Sequence, residues 1–370
     1  MLIETARDFA RNELLPLDRK WDEDESTVEE ILPTLGEMGL MNLTLPEELN
    51  GVGCSFGTYF AILHEIAASS PSTAVTISVH SMVGKILHEC LAEPLRTEVL
   101  SSWGDPASFA AFALTEADAG SDARAARVEA VEVDGGLKIN GEKMWITNGL
   151  TSRWFLTLVR LRDVPDNGSL CAVLIDGNDR GVERTKIHGK MGIRGSETAV
   201  IHFADTFVPE DHIVGQRGRG MWVFTTTLNE GRIGIASQSS GIAEACLSEM
   251  SSYVCERKQF GRPIGTFQAV ARMVADSAVE LEAAKALIWQ AAEKVDAGCP
   301  SRSASSMAKL YASEAANRIA YRAVQAHGGT GYVRECRVEQ LYRDARVTTI
   351  YEGTSEIQRL LIARELGEAS

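Results

Sequence analysis

The sequence predicts an α+β protein of three consecutive segments: helical over 1–108, β over 109–217, and a helical bundle over 218–370. Two observations carry this. The period of the apolar residues changes from three-to-four to two and back again. A chain of 370 residues is also long enough for two or three domains.

In the first segment Ile3, Ala6, Phe9 and Ala10, then Val28, Ile31, Leu32 and Leu35, recur at helical spacing. The stretch Leu45-Pro46 to Gly53 is punctuated by one Pro and two Gly and reads as a loop. Helical patterning resumes at Gly57 and runs to Trp103. In the middle segment short β-type runs follow one another: 137–139, 144–147, 154–159, 171–175 and 198–203. Asn140-Gly141 between the first two suggests a tight hairpin, and the whole suggests a small antiparallel barrel or sandwich. The last segment returns to long helices. Ile235 to Val254 mark one, Val270 to Val295 a second stopped by Gly298, and Met307 to Ile319 a third ending at Gly328-Gly329. Ile357, Leu360 and Leu361 mark a last one, capped by Thr354 or Ser355 and ending near Gly367. Stripe-faced helices on short loops pack as a bundle.

Composition excludes several function classes. The net charge of −14 argues against nucleic acid as the main partner, because phosphate backbones need a basic surface. No apolar run is long enough to span a bilayer. The first residues lack a signal or transit pattern, which points to a bacterial cytoplasm; a mature mitochondrial matrix chain would look the same. The seven cysteines are scattered without a CxxC pair, so reduced thiols are the expectation. GxGxxG, GxxxxGK[ST], HExxH and GxSxG are absent, and the histidines are scattered, which argues against a metal centre or a Ser-His-Asp triad.

Four strings remain. Phe112 to Asp122 is rich in small and hydroxyl residues that let a ligand approach backbone donors. Met144 to Gly149 places an aromatic plane and a hydroxyl on one strand. Glu256 to Pro263 clusters cations at a helix end, either to complement its dipole or to hold a pyrophosphate. Thr348 to Glu356 is a mixed turn before the last helix, with Glu352 in its centre. Each alone has a plainer structural reading as a capped turn, a core Trp or a solvated carboxylate.

Together, in order and across essentially the whole chain, the strings resemble the acyl-CoA dehydrogenase family. The motifs are TE-x-x-AGSD, K-x-WITNG, KMGIRGSET, ERKQFG, QAHGGTGY and IYEGTSEIQR. The resemblance implies an α-helical N-terminal domain, a middle β-domain and a C-terminal four-helix bundle, with FAD, an acyl-CoA substrate, electron-transferring flavoprotein as acceptor, and a homo-oligomer built as a dimer of dimers. By motif position Phe112, Leu114, Thr115, Gly120 and Ser121 line the flavin and thioester. Trp145, Ile146 and Thr147 pack on the flavin ring. Arg257, Phe260 and Gln268, with Gln325, Gly328 and Gly329, reach the FAD of a neighbouring subunit. Thr354 and Glu356 also contact FAD. Ser121, Asn229, Arg232, Tyr351 and Gly353 contact substrate.

The family's reaction is α,β-desaturation. A carboxylate removes the α-proton and a β-hydride passes to flavin N5. Burial raises such a base above the ~4.3 of free Glu, and donors on the thioester carbonyl stabilise enolate-like charge. Glu352 matches the base position. Some members carry the base before the arginine of the bundle helix, which here is Gly231 before Arg232; Glu230 is one residue out of register. The strings 228–238 and 350–359 look most like the short-chain, butyryl-CoA branch, with short branched acyl-CoAs as near competitors. Ala117 replaces the Pro usual after Thr-Glu. An acyl-CoA oxidase, a flavin monooxygenase-like relative and a catalytically silent subunit remain as alternatives.

Overall fold

The computed structural model describes residues 1–367; the last three residues of the predicted bundle segment, 368–370, lie outside them. Eleven α-helices and nine strands are laid out among the described residues in the order α, β, α. The first layer holds α1 (Leu2–Phe9), α2 (Leu15–Asp24), α3 (Leu32–Glu37), α4 (Phe56–Ser69), α5 (Pro71–Cys90) and α6 (Leu95–Leu100). Ser55 and Ser70 start α4 and α5 by accepting the N–H groups of Thr58 and Thr73. Helix α5 is buried on nearly every face, as its alanine, valine and serine content allows.

The middle layer is a curled seven-stranded sheet: β1 (Ala110–Ala113), β2 (Glu129–Val133), β3 (Gly136–Thr147), β4 (Trp154–Leu161), β5 (Leu170–Asp176), β6 (Val182–Lys186) and β7 (Thr198–Pro209). Antiparallel pairing dominates, but β1 and β2 both run parallel to β4. The Asn140-Gly141 hairpin is a correction: β3 runs straight through it, and the turn lies at Asp134-Gly135. Both dipeptides suit a tight turn, and the pairing of Val133 with Gly136 selects the earlier one. Gly141 (φ +133°) instead serves a bulge, where Asn140 exchanges hydrogen bonds of 3.1 and 2.9 Å with Asp205.

The last layer holds α7 (Gly220–Glu256), the short strands β8 (Lys258–Gln259) and β9 (Arg262–Pro263), α8 (Gln268–Asp296), α9 (Arg302–His327), α10 (Arg337–Val347) and α11 (Ser355–Glu365). Gly298 (φ +70°), Gly328 (φ +61°) and Gly367 (φ +76°) end three of these helices in left-handed turns, as their positions predict. Thr354 is the cap of α11, accepting the Ile357 N–H. Helix α7 is the longest element and packs against α4, α5, α8 and α9, so it forms the axis on which the layers meet.

Candidate active site

The turn between α10 and α11 carries Glu352 to the point where α5, α7 and α9 converge. Glu352 (φ +56°) and Gly353 (φ +91°) are both left-handed. Gln358 Nε2 lies 3.1 Å from the Glu352 carbonyl and 2.8 Å from that of Gly353, and Lys309 Nζ donates to the latter at 2.8 Å. Tyr351, just before the base, gives its hydroxyl to Gln238, which is itself anchored on the Pro71 carbonyl.

Among the described residues Glu352 Oε2 is buried without a hydrogen-bond partner. It stands where α7 has no side chain: a Cβ on Gly231 would lie 2.6 Å from Oε2 and 2.9 Å from Met82 Sδ. Burial pushes the Glu352 carboxyl up to about 7, although Arg232 and Lys309 pull against it. Burial likewise lowers Arg232 to about 10 and Lys309 to about 8. Arg232 donates to Asn229 Oδ1 at 2.8 Å. Val75, Val79, Met82 and Ile235 form a buried apolar cluster, joined at its edge by Phe112 and Tyr351. The structure therefore brings Phe112, Asn229, Arg232, Tyr351, Glu352 and Gly353 into one region.

Glu230 is held apart from that region. It pairs with Lys85 on another face of α7, beside Tyr59, Ser78 and Ser81. Its carboxyl is also pushed up to about 7 by burial, but a cation already sits on it, whereas no partner satisfies Glu352 Oε2. A raised carboxyl alone does not identify the base; the unpartnered oxygen does.

The motif strings prove to be held together from within. Glu116 accepts the N–H groups of Arg127 (2.6 Å) and Val128 (3.0 Å) and pairs with Lys143 at 2.7 Å. Lys143 also donates to the Leu114 carbonyl and has no exposed side-chain surface. Asn148 bonds the Thr76 and Ala110 carbonyls, and Glu197 accepts from Leu150 and Thr151. Glu116 and Lys143 thus join the first motif to the second, a role that sequence reading missed because neither residue shows its partner.

These latches present the remaining predicted residues. Gly120 and Ser121 are exposed at a loop tip, and Thr115 and Thr147 are half-buried. Trp145 takes φ +62° and is 57 % exposed, an aromatic ring pushed out of its strand by a bulge. The side chains of Ile146 and Leu114 point the other way, into the β core and the α5–α7 core. Ile146 therefore offers its backbone, not its side chain, on the face that carries Trp145. Thr354 and Glu356 border an open hollow of about 310 Å³ with Arg346 and Thr349. Ser355 Oγ, beside them at the start of α11, is buried and unpartnered. The lining of the hollow combines donors (hydroxyls, the Arg346 guanidinium and the α11 N-terminus) with the carboxylates of Glu314 and Glu356, a mixed set that can serve the phosphates and the ribose hydroxyls of a dinucleotide.

Arg257 closes α7, 25 residues beyond Arg232, which at 1.5 Å per residue is about 37 Å along the helix. Gln325, Gly328 and Gly329 end α9. Tyr253 stacks on His327 at 4.1 Å, so these two helix ends meet. Arg257, Phe260 (92 % exposed), Gln268 and Gln325 therefore gather at the far end of the bundle from Glu352, all exposed. One chain does not bring the two groups together.

Among the described residues no cluster of His, Cys, Asp or Glu suits a metal, and no helix is long and apolar enough to cross a membrane. Family models for the acyl-CoA dehydrogenase N-terminal, middle and C-terminal domains match residues 1–102, 111–206 and 218–367. The mouse mitochondrial short-chain specific acyl-CoA dehydrogenase is 39% identical over 368 residues, covering 99% of this chain and 89% of its own. The solved butyryl-CoA dehydrogenase of Megasphaera elsdenii is 31% identical with a TM-score of 0.95, covering 99% of this chain and 97% of that one. A chain solved in work on the electron transferring flavoprotein of Acidaminococcus fermentans and flavin-based electron bifurcation is 33% identical, TM-score 0.96, covering 99% and 97%.

Proposed function

The chain belongs to the acyl-CoA dehydrogenase family, flavin-dependent oxidoreductases acting on CH–CH bonds, and from that premise we propose that it desaturates a short-chain acyl-CoA, linear or short-branched, to the trans-2-enoyl-CoA. The observation that carries the reading is the buried, unpartnered Glu352 Oε2 between two cations and an apolar cluster.

The α C–H is the weak acid to be broken. Glu352 takes its proton, and the Glu352 N–H donates to the thioester carbonyl that gathers the charge. FAD, when bound, supplies the acceptor for the β-hydride. Trp145, Thr147, Thr115, Gly120 and Ser121 would hold its ring, with Thr354 and Glu356 further along. Arg257, Phe260, Gln268, Gln325, Gly328 and Gly329 of a second copy would complete the dinucleotide site. The 37 Å separation within one chain supports that second copy. Val75, Val79, Met82 and Ile235 exclude water from the acyl chain, so the carboxylate works against a low dielectric. Asn229 orients Arg232, and Tyr351 is fixed through Gln238. The likeness to short-chain specific and butyryl-CoA enzymes supports the short acyl chain. The likeness to a chain studied with an electron transferring flavoprotein supports that protein as the electron acceptor.

The test is an anaerobic titration of the purified protein with a series of acyl-CoAs, following the flavin's visible band. Bleaching strongest with butyryl-CoA supports the whole reading. Bleaching only with branched or longer chains keeps the chemistry and moves the substrate. A yellow protein that no acyl-CoA bleaches overturns dehydrogenation and favours an oxygen-using relative.

A further inference from the structure

Lys309 lies on α9 among Ser305, Ser306, Ala312 and Ser313, a face of small buried residues where one long cation stands out. Its side chain is fully buried, and its only hydrogen bond among the described residues is the 2.8 Å bond to the Gly353 carbonyl. It makes no ion pair within 4.0 Å there. Burying an ammonium for one neutral acceptor costs more than that bond returns. Gln358 Nε2 already serves the same carbonyl, so holding the turn does not by itself require a charge.

Lys309 sits behind the left-handed turn that presents Glu352. The charged groups acting on the Glu352 carboxylate are Arg232 from α7 and Lys309 from α9; from α5, the Met82 thioether flanks the same Gly231 position. Tyr351, from the turn itself, gives its hydroxyl to Gln238. Glu314 and Glu356 act on Lys309 more weakly than Glu352 does.

We propose that Lys309 is a positioning residue for the reaction: it locks the 352–353 turn through the Gly353 carbonyl, and its charge supports the ionised carboxylate of Glu352. This rests on Glu352 being the base. The two roles separate cleanly. The lock fixes where the carboxylate stands. The charge decides how much of it is ionised at a given pH. Burial raises the Glu352 carboxyl, and the two cations oppose that rise. Arg232 is also hydrogen-bonded to Asn229, whereas Lys309 is bonded to the turn itself, and of the carboxylates acting on Lys309 the base acts most strongly.

The sign follows. Turnover requires ionised Glu352, so the rate rises with pH through its titration near 7. Removing the Lys309 charge raises that midpoint. The experiment is kcat against pH, from 5.5 to 9.5, for the holoenzyme with its best acyl-CoA from the titration. Wild type, Lys309→Met, Lys309→Gln, Lys309→Arg and Glu352→Gln are compared, with flavin content and melting recorded for each. Lys309→Met should move the midpoint up by about one pH unit, a loss of about fivefold at pH 7 that recovers at high pH. Lys309→Gln, which keeps a donor without the charge, should shift it similarly; Lys309→Arg should restore the wild-type midpoint. If Lys309→Met does not fold, Lys309→Gln decides alone. An unmoved midpoint in the uncharged variants, or a uniform loss at every pH, overturns the inference. A fully active Glu352→Gln would instead remove the base reading beneath it.

Discussion

Replacing Gly231 by alanine adds one methyl group where α7 passes the base. That carbon would stand 2.6 Å from Glu352 Oε2 and 2.9 Å from Met82 Sδ. Ordinary contact begins near 3.4 Å, so the carboxylate must retreat by about 0.8 Å, in a site where atoms pack at van der Waals distance. Both neighbours are ends of flexible side chains that can rotate away, so the fold should accept the change. Alanine also gains about 0.8–1 kcal/mol of helix propensity over glycine, which offsets part of the crowding. The melting temperature should therefore stay within about 3 °C of wild type. Catalysis should not be spared, because a displacement of about 1 Å costs on the order of 100-fold. The assay is single-turnover anaerobic reduction of the bound flavin at saturating acyl-CoA. A rate reduced by about 30- to 100-fold with unchanged melting is expected. An unchanged rate would show that the base is not confined against α7. A collapse of melting with loss of flavin would show that the methyl group meets packing rather than mobile chain ends.

Glu352→Gln should keep flavin and acyl-CoA binding, read by the spectral shift on titration, while turnover falls by at least about 1,000-fold through loss of the base. Lys143→Met leaves the Glu116 carboxylate buried without its cation; urea unfolding should show a loss of about 3–5 kcal/mol. Adding Glu116→Gln should recover part of it. Arg257→Ala removes an exposed cation at the far end of the bundle. It should lower the ratio of flavin to protein absorbance and leave far-ultraviolet circular dichroism unchanged, with added FAD restoring activity.

Much of this was legible in the sequence, because periodicity and punctuation are local. The stop at Gly298, the cap at Thr354 and the change from helical to strand period needed only neighbouring residues. Glu352 was legible only through its motif; alone it reads as a solvated loop carboxylate. Lys309, Gln358 and the Glu116–Lys143 pair were not legible, since their partners lie across the fold. Lys309 reaches a carbonyl 44 residues away, and Lys143 a carboxylate 27 residues away. A single charge on a small-residue helix face was the available signal for Lys309. The Asn140-Gly141 turn failed for a different reason: two good turn dipeptides lie six residues apart, and only the strand register chooses between them.

The Glu116–Lys143 latch also divides one loop into two regimes of motion. Its roots, at Leu114 to Glu116 and at Arg127 to Val128, are tied by buried charge-assisted bonds. Arg160 adds two more ties, to the Arg124 and Ala126 carbonyls. Between them residues 117 to 122 are mostly exposed. Among the described residues their ties are the local Glu116–Ala119 bridge with the buried Ala119, the Ala125 N–H on the Asp122 carbonyl at 3.0 Å, and one solvent-facing ion pair, Asp118 with Arg127 at 3.8 Å. Such a pair contributes about 0–1 kcal/mol. Swinging the tip that carries Gly120 and Ser121 therefore costs little, while unseating its roots approaches the cost of opening the β domain. The tip can then move on the nanosecond-to-microsecond clock of a loop, with no rearrangement of whole domains.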